Sequence, residues 1–324
     1  MDTLLTGNEL LNAVNGVQIG SAVCSFNDVQ TDSRNVGKNC MFVPLIGEFL
    51  NGHKYIPQAV EKGASVVLIN NYEYELNKLE WEEKANSFPC VFFVLVQNTL
   101  TALQNAAQAY VNKVAANMIR VSITGSSGKT TTKEMMVSVA KKHFGTDSVA
   151  YTKGNFNSET GLPLSVFKIR GDEKIGIFEM GMNRENEIGE ISKVWKSEYG
   201  IITNIGTAHI GILGSRENIA LEKRKSFDYI PTTGAAFVYE QDSFADLCTQ
   251  KVKGKIVKFG KENSENFGVK FIADKGLFGT LFSVDDVEVQ LPLSGEYNYL
   301  NALSVIACAK ELGISAEEIK AGLE

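Results

Sequence analysis

Apolar residues along this chain follow two patterns that take turns. Short unbroken runs such as Val91-Phe92-Phe93-Val94-Leu95-Val96 read as buried strands. Between them, apolar side chains recur every three to four residues, as on one face of a helix. In the first hundred residues this predicts strands over 40–43, 65–69 and 92–96, and a helix over 55–62 with Pro57 in its first turn. Residues 72–84 carry many charges around Leu76 and Leu79, the pattern of a solvated amphipathic helix or loop. A new helix begins near Gln97-Asn98-Thr99 with Thr99 as its expected cap, so a domain boundary is placed there: residues 1–97, then 98–324.

In the second part, strand candidates at 148–151, 175–179 and 199–203 alternate with helical stretches. That order predicts an α/β fold with a mostly parallel sheet covered by helices on both faces. Residues 255–293 switch to short alternating runs around an Asp285-Asp286 turn, which reads as β-hairpins appended to the sheet. Two helices follow, over 298–312 and 316–323, separated by Gly313.

The most informative stretch is 121–134. A β-prone run enters Gly125-Ser126-Ser127-Gly128-Lys129-Thr130-Thr131-Thr132, and then Met135, Met136, Val139 and Ala140 recur at helical spacing. This is the layout of a phosphate-binding loop. Glycines let backbone N–H groups face phosphates, the helix start adds positive potential, Lys129 reaches outer phosphates and Thr130 a magnesium ion. The first glycine of G-x-x-x-x-G-K-[ST] would fall at Ile123, so the loop departs from the common spacing. Read without its context, the stretch is a glycine turn with a solvated lysine.

Composition bounds the rest. With 324 residues, 44% hydrophobic and 22% charged, the chain is sized for two ordinary domains of a globular protein. A net charge of −6 argues against nucleic acid as main partner, while leaving room for a local basic pocket. The five cysteines are scattered without a C-x-x-C pair, which points to reduced thiols in a cytosolic protein and to no zinc site. No apolar run approaches the length that crosses a bilayer, so membrane insertion is not expected.

Ligands of parallel sheets gather beyond the carboxyl ends of the strands. Glu179 closes one predicted strand, His209 follows another, and Gly154-Asn155-Phe156-Asn157-Ser158 forms a turn-prone loop after a third. Taken singly, Glu179 is equally a strand-end carboxylate, His209 a structural histidine, and Glu222-Lys223-Arg224-Lys225 a wet helix face.

Together these segments resemble the successive motifs of the Mur ligases. The phosphate loop is followed in order by Gly154-Asn155-Phe156-Asn157, Glu179-Met180-Gly181-Met182-Asn183 and Thr203-Asn204-Ile205-Gly206-Thr207-Ala208-His209. Thr31-Asp32-Ser33-Arg34 and Gly47-Glu48-Phe49-Leu50-Asn51-Gly52-His53 resemble the family's uridine-nucleotide domain. Gly295-Glu296-Tyr297-Asn298-Tyr299-Leu300-Asn301-Ala302 resembles its adenine-side motif.

The resemblance implies an ATP-dependent amide ligase that passes through an acyl phosphate. The substrates implied are a UDP-muramoyl-tripeptide and D-alanyl-D-alanine, and the protein would act as a monomer. Gly125, Ser126, Ser127, Gly128, Lys129, Thr130 and Thr131 would hold ATP phosphates, with Asn298 and Asn301 near the adenine. Thr130 and Glu179 would hold magnesium, and His209 a second metal site. Lys223 matches a lysine that many relatives carry as a carbamate, with Lys225 as the alternative position. Lys129, Glu179, His209 and Lys223 would be the catalytic set. Ser33, Arg34, Asn51, Gly52 and His53, with Asn155 and Asn157, would bind the sugar nucleotide. The carboxyl-terminal Rossmann-like domain of the family, which helps hold the amine, has no counterpart in these 324 residues. A non-catalytic nucleotide-binding module, a ligase adding an earlier amino acid and an unrelated phosphate-loop kinase are the competing readings.

Overall fold

The computed structural model describes residues 3–324. Contacts divide the chain into two compact units, residues 1–116 with 163–170, and 117–162 with 171–324.

The first unit is built on a five-stranded sheet of β1 (Val17–Ile19), β2 (Asp28–Gln30), β3 (Cys40–Phe42), β4 (Ala64–Asn70) and β5 (Phe92–Val96), in the order β1-β5-β4-β3-β2. All neighbours run parallel except β1, which pairs antiparallel with β5. The apolar run read from sequence is β5, and its residues Phe92, Phe93 and Val94 are buried. The charged stretch after residue 70 forms two helices, Asn71–Leu76 and Lys78–Ser87, anchored by buried Tyr74 and Trp81.

The expected boundary at residue 97 moves. Helix Thr99–Val114 packs with the first unit, against helix Gly7–Val14. Its cap is Asn98, whose side chain accepts from the Thr101 amide, and not Thr99. The Thr99 hydroxyl donates instead to the Pro44 carbonyl at 2.6 Å, a long-range bond that no local pattern signals. Residues 163–170 return to the same unit, where Tyr110 stacks near Phe167 and donates to the Ile169 carbonyl.

The second unit holds a six-stranded, wholly parallel sheet of β6 (Ile119–Thr124), β7 (Val149–Tyr151), β8 (Ile175–Glu179), β9 (Tyr199–Ile202), β10 (Ala235–Tyr239) and β11 (Lys255–Phe259). The order is β11-β10-β9-β6-β8-β7, so the direction of winding reverses on either side of β6. Helices Lys129–Phe144, Glu296–Glu311 and Ala316–Leu323 cover one face, meeting Val121, Ile123, Ile177 and Phe237 in a single core. On the other face Trp195 fills the space over Gly176, lies 4.2 Å from Phe178 ring to ring, and donates to the Val121 carbonyl.

Residues 269–291 form an antiparallel meander of β12 (Val269–Asp274), β13 (Thr280–Val284) and β14 (Val287–Leu291), with Asp285 and Asp286 turning at positive φ. The hairpin reading therefore holds from residue 269 onward. Lys255–Phe259 differs: it is the outer strand of the main sheet, paired parallel to β10.

Candidate active site

Parallel sheets take ligands beyond the strand carboxyl ends where winding reverses, and the phosphate loop leaves β6 at that point. Gly125 has φ +153° and a Cβ there would lie 1.9 Å from the Thr203 hydroxyl, so the backbone passes only because no side chain is present. Gly128, at φ +79°, is the N-cap of helix Lys129–Phe144. That helix makes its first internal bond from Thr132 to Gly128, which leaves the preceding N–H groups facing out of the helix start.

The loop is braced from β9. Asn204 accepts from the Ser126 amide through its carbonyl (3.0 Å) and from the Ser127 amide through its side chain (3.2 Å). Thr203 donates to the Ser127 carbonyl at 2.6 Å. The amides of Ser126 and Ser127, expected on phosphate, are thus used to hold the loop, and those of Gly128 to Thr131 remain at the helix start. Asn204 sits in a quoted motif, but nothing in its spacing announces this bracing role.

Two lysines converge on one oxygen. Lys129 Nζ lies 3.0 Å and Lys223 Nζ 2.9 Å from the Gly125 carbonyl. Lys223 is 1% exposed, and burial with the nearby Lys129 cation pulls its pKa down to about 7. Burial also lowers Lys129, while Glu179 opposes the shift. His209, at φ +68°, is lowered by burial and by the Lys223 and Lys129 cations, which places it in the same group. Lys225 turns elsewhere, with its Nζ bonding the Asn186 side chain and Glu222, so Lys223 is the lysine of this site.

Glu179, 2% exposed at the end of β8, is held on both oxygens. Thr130 donates to Oε2 at 2.9 Å and Asn157 Nδ2 to Oε1 at 2.7 Å, while the Glu179 amide donates to Thr152. The 2.9 Å separation of Thr130 and Glu179 oxygens matches two adjacent ligands of a magnesium ion with bonds of about 2.0–2.1 Å. Among the described residues no cluster of three or more His, Cys, Asp or Glu surrounds a metal position. Asn157, expected on substrate, stands at this carboxylate, and Asn155 is exposed in the same loop. Asn301 is buried with its amide against Gly128, while Asn298 donates to the Ser294 carbonyl.

In the first unit a pocket of about 590 Å³ is lined by Asp32, Ser33, Arg34, Gly52, Tyr55 and Gln58 among others. Ser33 donates to Gln58 at 2.6 Å, and Arg34, its side chain 81% exposed, pairs with Asp32. Tyr55 and Gln58, on the first helical turns after this loop, were not foreseen.

His53 takes a different part from the one expected. It is 4% exposed, its Nδ1 meets Asn51 Oδ1 at 2.8 Å, and its Nε2 accepts from the Asn70 amide at 3.0 Å. Both ring nitrogens are used inside the protein, so His53 and Asn51 fix the pocket wall. Burial lowers the His53 pKa to about 4, against a small opposing influence of Glu73.

A parallel sheet with a glycine loop at a helix start, a lysine pair of which Lys223 is buried and Lys129 half-buried, and a threonine–carboxylate pair has the layout of a phosphate-loop protein. Its sequence matches the family profile "Mur ligase middle domain" over residues 123–309. The chain belongs to the Mur ligase family. It is 37% identical over 324 residues to a UDP-N-acetylmuramoyl-tripeptide–D-alanyl-D-alanine ligase of Treponema pallidum, covering 99% of this chain and 68% of that protein. It is 33% identical to the ligase of the same name from Bacillus subtilis, covering 91% and 61%. The crystal structure of MurF from Acinetobacter baumannii superimposes with TM-score 0.82 at 29% identity, over 98% of this chain and 67% of that one. A MurF ligase from Thermotoga maritima, solved with ADP, shares the fold with TM-score 0.70 at 24% identity. The chain thus spans roughly two thirds of the length of these relatives. No helix among the described residues is long and apolar enough to cross a membrane.

Proposed function

We propose that this chain carries the carboxylate-activating machinery of an ATP-dependent ligase that joins D-alanyl-D-alanine to UDP-N-acetylmuramoyl-tripeptide. The observation that carries the reading is the meeting of Lys129 and Lys223 on the Gly125 carbonyl, beside the Thr130–Glu179–Asn157 chain.

A carboxylate resists attack by an amine because it is anionic and resonance-stabilised. Phosphorylating it gives an acyl phosphate with a good leaving group. Both the carboxylate and the transferring phosphoryl group are negative, so positioned cations are needed to bring them together. Lys129 supplies one such charge from the floor of the loop, and the helix-start amides of residues 128–131 supply partial charges. Magnesium held by Thr130 and Glu179 would neutralise phosphate charge. Asn157 keeps the Glu179 carboxylate in one rotamer, and Thr152 fixes its backbone. Lys223, buried beside Lys129, is placed to orient the reacting groups; carried as a carbamate it would supply an anion in place of a cation. His209 stands close to both lysines. In the first unit, the Asp32–Gln58 pocket is assigned to the uridine diphosphate end of the sugar nucleotide.

Calorimetry with UDP-muramoyl-tripeptide and with ATP–magnesium tests the two binding assignments. An ADP-release assay tests the reaction, and ADP formation should require the tripeptide nucleotide. Binding of ATP with no binding of the sugar nucleotide would sink the reading and leave a member of the family with another acceptor.

A further inference from the structure

Helix Glu187–Trp195 starts without a cap of its own. Asn186, at its N-cap position with φ +63°, makes no capping bond; its side-chain oxygen accepts from Lys225 Nζ instead. The amides at the helix start end on a carboxylate from elsewhere. Asn186 N and Ile188 N each lie 3.0 Å from a different oxygen of Glu222. Glu222 is 4% exposed, belongs to helix Arg216–Lys223, and is also paired with Lys225 at 2.6 Å.

The next residue is Lys223. Successive side chains on a helix point about 100° apart. Fixing one side chain at a neighbouring helix start therefore fixes the roll of the helix and the direction of the next. Hydrogen bonds from a helix start to an ionised carboxylate are about twice as strong as neutral ones, and the helix dipole adds to them.

We propose that Glu222 is a positioning residue: by capping helix Glu187–Trp195 it sets the rotation of its own helix and holds Lys223 at the phosphate loop. That Lys223 serves the reaction rests on the function proposed above; that Glu222 sets its place does not.

Amine-reactive labelling at a single pH, read by peptide mass spectrometry, reports Lys223 directly. Lys133, likewise 1% exposed but on the helix of the phosphate loop, is the internal control. Glu222→Ala should raise labelling of Lys223 roughly tenfold, with a comparable rise in hydrogen exchange at Asn186 and Ile188, the size a lost helix cap produces. Lys133 should stay within about twofold of the unsubstituted chain, since its helix keeps its own bonds. Glu222→Gln keeps one acceptor and should fall between; if the alanine variant does not fold, a roughly threefold rise in the glutamine variant carries the test. Unchanged labelling of Lys223 in a folded variant overturns the proposal. So does an equal rise at Lys133, which would mean general loosening. Titrating the same samples with ATP–magnesium separates the two ideas: an unsubstituted chain that ignores ATP sinks the function and leaves the labelling result to decide the role of Glu222.

Discussion

Two lysine amines on one carbonyl oxygen is an arrangement that stability alone would not favour. Burial depresses both, and the Lys129 charge depresses Lys223 further, so protonating both at once is unfavourable. Replacing Lys129 by methionine removes that repulsion along with the charge that the proposed function assigns to phosphoryl transfer. Lys129→Met should lower ADP formation on the order of a thousandfold while leaving the melting temperature equal or higher. A kinetic assay and a thermal melt on one sample check both halves. His53 gives the opposite kind of residue, with stability tied to staying neutral. The unfolded chain binds a proton on this imidazole near pH 6.5, but the folded protein binds it only near pH 4. The contribution of His53 is therefore complete above pH 6.5, is lost as pH falls from 6.5 to 4, and changes no further below that. The shift corresponds to roughly 3 kcal/mol. His53→Gln should flatten that part of the pH dependence. Urea unfolding of both proteins at pH 7, 5.5 and 4 reads it as a difference, since carboxylates titrate alike in the two.

At the level of elements, the phosphate loop was legible because its demands are local. Gly125 and Gly128 adopt positive φ, Lys129 opens a helix, and a strand precedes them, all within a dozen residues. Glu179 was legible for a similar reason, as the polar residue ending an apolar strand. What the sequence did not disclose depends on distant partners. Thr99 bonds Pro44, Asn204 takes two loop amides, and Glu222 caps a helix that starts more than thirty residues earlier. The internal bonding of His53 is equally hidden, because nothing nearby in the sequence shows that the Asn70 amide takes its second nitrogen. Strand Lys255–Phe259 was read as hairpin because alternating apolar and polar residues suit an outer strand of either sheet type. The loop itself makes a sharp prediction. A Cβ on Gly128 would sit 2.5 Å from the Asn301 side-chain oxygen, at a φ that costs an alanine about 1–2 kcal/mol. Gly128→Ala should weaken ATP–magnesium binding at least about tenfold. Calorimetry reads the affinity, and the double variant Gly128→Ala with Asn301→Ala should recover part of the loss if contact with Asn301 is responsible.

Over the whole molecule, the proposed function asks a chain of net charge −6 to bind two anionic nucleotides, and the candidate anchors are concentrated locally. In the second unit they are a buried lysine, Lys223, a half-buried one, Lys129, and a helix start. In the first they are an exposed arginine, hydroxyl and amide groups, and a pocket wall stiffened by His53. These are different chemistries for different ends of the reaction. Lysines shielded from solvent suit a phosphoryl group whose charge shifts during transfer, whereas neutral donors with one solvated cation suit a nucleotide that is only held. Because each anchor set lies within a single unit, the two affinities should be separable by mutation. Gln58→Ala with Arg34→Ala should weaken UDP-muramoyl-tripeptide roughly ten- to a hundredfold, the loss of two polar contacts, and leave ATP–magnesium within about twofold. Lys129→Met should do the reverse. Parallel titrations of the two variants with the two ligands make the comparison. A first-unit variant that loses ATP as strongly as the sugar nucleotide would mean that the anchors are not divided in this way, and the assignment of the pocket to the uridine end would fall with it.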